Sequence, residues 1–178
     1  MKLYVIRHGQ TKQNKKDTIN GINNNRLTLK GIKQAKQTGQ KLRQKQIDLI
    51  ICSPLKRTKQ TLKILNLKNI PIIYNKALVE RNSNSKMNTP IKNLDKNIWY
   101  DITKDVVYKD SEGFKSIIER TKQLLNNLKQ EHKNQNILLV THGDVSRAIN
   151  AIQNNLTNPQ EISSYDPDNC EIQIFNIW

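Results

Sequence analysis

Two apolar runs in this chain stop at the same dipeptide. Leu3-Tyr4-Val5-Ile6 leads through Arg7 into His8-Gly9, and Ile137-Leu138-Leu139-Val140 leads through Thr141 into His142-Gly143. Apolar runs of this length bounded by Gly predict buried strands. In an open α/β sheet, ligands bind at the carboxyl ends of the strands, beside a switch point in strand order. The two runs therefore bring two of the three histidines, with Arg7, to one rim of a sheet.

The rest of the pattern alternates strands with helices. The first strand is Lys2 to Ile6, followed by an Asn-rich polar loop from Lys12 to Arg26. Thr28 is the expected N-cap of a helix carrying Ile32, Ala35, Gly39 and Leu42 at helical spacing to about Lys45. Asp48 to Cys52 predicts a second strand. Ser53-Pro54 predicts an N-cap with Pro at the first helical position, and Leu55, Thr58, Leu62 and Leu65 supply that helix's apolar face. Ile70 to Tyr74 predicts a third strand. The span 82–110 is the least regular and is expected to hold one short helix and to act as a cap or specificity segment. A long helix from about Glu112 to His132, a fourth strand from Ile137 to Thr141 and a helix from Asp144 to Asn154 follow. Glu171 to Ile177 alternates Ile172, Ile174 and Ile177 with polar residues, as an edge strand does. The expected fold is α/β: one domain over residues 1–178, a three-layer α/β/α sandwich with a mainly parallel sheet and one antiparallel edge strand.

The net charge of +15 raises nucleic acid or a membrane as partners. The lysines are scattered along helix faces such as Lys30 to Lys45, with no interleaved aromatics for base stacking. The charge is read as a solvated surface with a mild bias toward anionic substrates, and no specific nucleic-acid or membrane partner is expected. Cys52 and Cys170 are the only cysteines and fit no metal spacing. No run approaches membrane-spanning length, and a strand occupies the N-terminus where a leader's apolar stretch would stand, so a cytoplasmic protein is expected. The sequence leaves the oligomeric state open.

The residues at the rim suit phosphoryl chemistry. A neutral imidazole is a competent nucleophile toward phosphorus, and Arg7 and Arg57 beside His8 would hold it neutral. Gly9 lets the backbone turn and approach a ligand closely. Arg57, three residues after Pro54, projects from the first turn of a helix, where unpaired N–H groups already favour an anion. His142 can donate to a phosphate oxygen. Glu80, a few residues past the third strand, is the best candidate for the proton donor and base.

Together these motifs resemble the histidine phosphatase, or phosphoglycerate mutase-like, superfamily. The resemblance rests on Arg7-His8-Gly9-Gln10-Thr11 with Asn14, Leu27-Thr28 with Gly31 and Gln34-Ala35, Ser53-Pro54-Leu55 with Arg57, Gln60 and Thr61, Leu78-Val79-Glu80, and Thr141-His142-Gly143. It spans Lys2 to about Ile177. It implies a phosphohistidine on His8, a phosphate pocket of Arg7, Arg57 and His142, further substrate contacts from Gln10, Thr11, Asn14, Gly21 and Gly143, and Glu80 as acid. It implies no metal and no organic cofactor. The family's Gly-Glu-Ser element corresponds to Ser111-Glu112-Gly113, and the cationic pair of the glycolytic mutases has no counterpart before Arg120. The expected activity is hydrolysis of a small phosphorylated metabolite. The alternatives are a phosphoglycerate mutase or bisphosphatase, and a catalytically weak phosphate-binding protein.

Overall fold

The structure, a computed structural model, describes residues 2–176. In chain order the elements are β1 (Lys2–Arg7), α1 (Lys12–Lys15), α2 (Leu29–Leu42), β2 (Leu49–Cys52), α3 (Lys56–Leu65), β3 (Ile72–Tyr74), α4 (Lys96–Trp99), β4 (Val106–Val107) and β5 (Ser111–Glu112). Then come α5 (Phe114–Glu131), β6 (Ile137–Thr141), α6 (Gly143–Asn154), α7 (Pro159–Ser164) and β7 (Ile172–Asn176). The main sheet has the order β3-β2-β6-β1-β7. Its first four strands are parallel, and β7 is antiparallel to β1.

The apolar runs are buried because both faces of the sheet are covered. Along β6, Ile137 and Leu139 enter one core, with α5 and α6 residues such as Ile117 and Ala148. Leu138 and Val140 enter the other, with Leu42 of α2 and Leu62 and Leu65 of α3. Leu3 and Val5 of β1 alternate with Tyr4 and Ile6 in the same way. β1 and β6 are neighbours, with Arg7 in register with Thr141, so their His-Gly ends emerge side by side.

Several boundaries differ from expectation, each for a tertiary reason. The third helix starts at Lys56 with Leu55 as N-cap, because Ser53 Oγ lies 2.7 Å from Nε2 of His142. The long helix starts at Phe114. Ser111 and Glu112 instead pair with β4, and the Glu112 N–H donates to the Asn82 carbonyl. The last strand's pattern is inverted at its centre. Gln173 is buried and accepts from the Tyr165 hydroxyl, whereas Ile174 is half exposed; Ile177 lies outside the described residues. The irregular span holds the short helix α4, two 3₁₀ turns (Asn84–Lys86 and Ile91–Asn93) and β4. The short helices α1 and α7 were not expected.

Candidate active site

Each site residue is held by a short link to the sheet. The His8 N–H donates to the Thr141 carbonyl, and Asn169 Nδ2 donates to the His8 carbonyl, so both sides of this backbone are pinned. Gly9 N–H donates to Thr61 Oγ1. Gly9 also lies against Gly31 of α2, where a Cβ on Gly31 would stand 2.3 Å from the Gln10 carbonyl oxygen. The close approach of this loop to α2 thus requires glycine.

The hydrogen bonds of His8 define its tautomer. Arg57 Nε can only donate, and it lies 2.9 Å from His8 Nε2, so Nε2 is the acceptor. Nδ1 then carries the proton and donates to the Gly9 carbonyl at 2.8 Å. The nucleophilic lone pair is therefore on Nε2, facing the guanidinium. Arg57 is fully buried, and its other nitrogens donate to the carbonyls of Gly21 and Asn23. Gly21 has φ +53°, the left-handed region that favours glycine.

His142 packs edge-on against His8, with ring centroids 5.3 Å apart. Its Nε2 meets Ser53 Oγ, and its Nδ1 is buried without a partner. A Ser53 hydroxyl donating to Nε2 leaves an Nδ1–H with nothing to bond, a cost that an anion's oxygen would remove. Both imidazoles are held well below the usual histidine range. Burial is the main cause for each, followed by the Arg57 charge.

Glu80 reaches the same place from the loop after β3. Its carboxylate accepts from the N–H groups of Gly143 and Arg81. Its acidity is weakened, first by burial and then by Asp144, against the opposing pull of Arg57. Burial, with the Arg7 charge beside it, brings Arg57 down to about 10.

A cavity of about 270 Å³ opens over these groups. Arg7, His8, Asn14, Gly21, Glu80 and Gly143 line it. Arg57 and His142 do not line it, and each touches His8, which does. Gln10 and Thr11 do not line the cavity: Gln10 ties the loop to Thr28 and Gln34 of α2, and Thr11 caps α1 in a reciprocal pair with Asn14. Glu112 also stands outside it, bonded to Asn82 N–H and Arg120.

Sequence reasoning missed a line of alternating charges along one wall. Arg7, Asp166, Arg147, Asp144 and Arg81 follow one another as ion pairs. Arg81 is 1% exposed and lies over the Trp99 ring at 4.0 Å. The one local signal was Arg147, four residues past Gly143 and so on the same helix face. Ser53 has the sequence context of an N-cap, and its hydroxyl instead meets His142.

A doubly wound sheet presenting a neutral histidine, a second histidine and buried arginines at its carboxyl rim defines a phosphoryl-transfer enzyme. Residues 3–178 match the model of the histidine phosphatase superfamily (branch 1), and the chain belongs to that family. The uncharacterized phosphatase PhoE of Bacillus subtilis is 30% identical, over 97% of this chain and 82% of its own length. Phosphoserine phosphatase 1 of Hydrogenobacter thermophilus is 28% identical, over 84% of this chain and 74% of its own. The solved structure of YhfR from Bacillus stearothermophilus superposes with TM-score 0.86, covering 99% of this chain and 91% of the other at 23% identity, and shares the fold. No helix among the described residues is long and apolar enough to cross a membrane.

Proposed function

We propose that the chain hydrolyses a small phosphomonoester in two steps through His8. In the first, the Nε2 lone pair attacks phosphorus as the P–O(ester) bond breaks. The leaving oxygen takes the proton of Glu80, and phosphate remains on Nε2. Arg57 must turn its Nε–H from the lone pair to a phosphate oxygen for this to start. In the second, ionised Glu80 takes a proton from water, the hydroxide oxygen bonds to phosphorus and the P–N bond breaks. Inorganic phosphate leaves and His8 is neutral again. Arg7, Arg57, His142 and the Gly143 N–H meet the charge on the transferring oxygens.

The observation that carries this reading is the His8 tautomer. Nδ1–H is committed to Gly9, which leaves Nε2 as the basic atom against Arg57 and 5.3 Å, centroid to centroid, from a second neutral ring. Asn14 and Gly21 support substrate through the cavity wall, and Gln10 and Thr11 act by holding the loop. The relatives' names point to small phosphorylated metabolites. A cytoplasmic site of action fits the two buried free thiols, Cys52 and Cys170.

Phenyl phosphate hydrolysis by wild type and His8→Ala, both in excess EDTA, tests the reaction. The wild type is expected to turn over and the variant not. Alkaline quench during turnover is expected to trap a base-stable, acid-labile phosphoprotein in the wild type alone. Equal turnover by the two proteins would remove His8 from the mechanism. Interconversion of 2- and 3-phosphoglycerate faster than phosphate release would make the chain a mutase.

A further inference from the structure

One contiguous stretch of the chain is nearly free of acids, and the fold gathers its cations onto one face. Residues 18–79 hold thirteen lysines and arginines and a single acid, Asp48, of the fifteen acids in the chain. Apart from Arg57, every one of these thirteen is exposed. Among the described residues no ion pair involves a side chain of this span; all lie elsewhere in the molecule. The span contributes strands β2 and β3 of the sheet and, outside them, α2 and α3, the outer layer on one face. α2 and α3 pack on each other and on the same side of the sheet, through Leu42, Leu62 and Leu65. Lys30, Lys33, Lys36, Lys59 and Lys63 face outward from them. A lysine-rich composition alone would not leave one acid in this span and fourteen in the remainder.

Apolar side chains border this layer. Leu29, the first residue of α2, is 87% exposed. Ile72 and Tyr74 project from the open edge strand β3, and Tyr74 lies on the α3 side, beneath Lys59 at 4.8 Å. Cations on flexible stems beside exposed aliphatic and aromatic groups match the headgroup region of an anionic bilayer. The layer fits nucleic acid less well. Its one exposed aromatic, Tyr74, is already covered by Lys59, which takes the ring face a base would stack on.

We propose that the α2–α3 layer is a docking face for an anionic lipid surface. No residue from 22 to 79 lines the cavity, so the docked protein keeps its site open. Docking by this face would then bring the site to substrate held at a membrane.

Sedimentation with vesicles of phosphatidylcholine containing about a third phosphatidylserine tests this at about 0.1 M salt. The wild type is expected to bind these vesicles and not those of phosphatidylcholine alone. Lys33→Glu/Lys36→Glu/Lys63→Glu is expected to weaken binding on the order of a hundred-fold, from roughly five-fold per lysine near the surface, while phenyl phosphate turnover stays unchanged. Lys122→Glu/Lys129→Glu/Lys133→Glu changes net charge equally on the α5 side and is expected to keep most binding. Leu29→Ser, which leaves every charge in place, is expected to lower binding several-fold and covers the case in which the triple variant misfolds. Equal loss in the two triple variants would mean net charge alone and would overturn the proposal. So would wild-type indifference to phosphatidylserine, or tighter binding to single-stranded or duplex RNA than to vesicles in the same salt.

Discussion

His8 and Glu80 are pushed in opposite directions, each toward the other's ordinary range of acidity. A free carboxylic acid loses its proton well before an imidazolium does. Here burial and the Arg57 charge push His8 down, while burial and Asp144 push Glu80 up. The reaction needs that combination: an unprotonated imidazole and a protonated carboxyl in one free enzyme. The rate constant kcat/KM is expected to fall on the acid side as His8 takes a proton, below the usual histidine range. It is expected to fall on the alkaline side as Glu80 loses its proton, above the usual carboxylate range. Glu80→Gln should lower kcat/KM by about 10²–10⁴ and abolish the alkaline limb. The loss should be larger for an alkyl phosphate, whose alkoxide needs a proton, than for p-nitrophenyl phosphate. An alkaline limb that survives unchanged in the Gln variant would mean that another group is the acid.

The elements place these side chains through contacts that admit little adjustment. The first turn of α2 rests on the loop carrying His8, backbone against backbone. A Cβ on Gly31 would meet the Gln10 nitrogen at 2.7 Å as well as its oxygen at 2.3 Å, and neither can swing aside. Gly→Ala in a helix interior ordinarily gains about 1 kcal/mol from propensity. The clash decides the sign here. Gly31→Ala is expected to cost about 1–3 kcal/mol, the usual range for overpacking, and to lower kcat by displacing the His8 loop. Thermal melting and phenyl phosphate kinetics read the two effects, and a stabilised, fully active variant would show that the loop yields. The same contacts explain what the sequence disclosed. The two runs ending in His-Gly were legible because burial on both faces leaves an unbroken apolar string. Thr28 was legible as a cap because its hydroxyl accepts from its own helix, at Gly31 N–H. Ser53 was misread because its partner, His142, is 89 residues away. The Arg81–Asp144 pair was invisible for the same reason, since nothing local marks a charge destined for burial. Gln173 took the core side of β7 because Tyr165 satisfies it, which no alternation pattern encodes.

For the molecule as a whole, the substrate-free site is a reservoir of unfavourable electrostatics. Arg7 and Arg57 both have their cationic forms weakened by burial, and two imidazoles are kept neutral beside them. The sign of the consequence follows from linkage. The folded-state values of His8 and His142 lie below those of the unfolded chain. Below the ordinary histidine value of about 6.5, the unfolded chain therefore binds protons that the native site refuses. The stability these two groups contribute is present above that pH and is lost as pH falls toward their folded values. Melting temperature should accordingly drop between pH 7 and pH 5. Inorganic phosphate carries the charge that the site lacks and binds only the native form. At a hundred times its Kd it should add about 2.7 kcal/mol, or roughly 5–10 °C for a chain of this size. Beside a bound dianion the imidazoles tolerate a proton more readily, so the pH slope should flatten as well. Differential scanning calorimetry from pH 5 to 7.5, with and without phosphate, measures both effects. Arg57→Ala should lose most of the phosphate shift, because it removes the guanidinium that faces the His8 lone pair. A slope that phosphate leaves untouched would mean that the acid sensitivity resides in other groups than this pair of histidines.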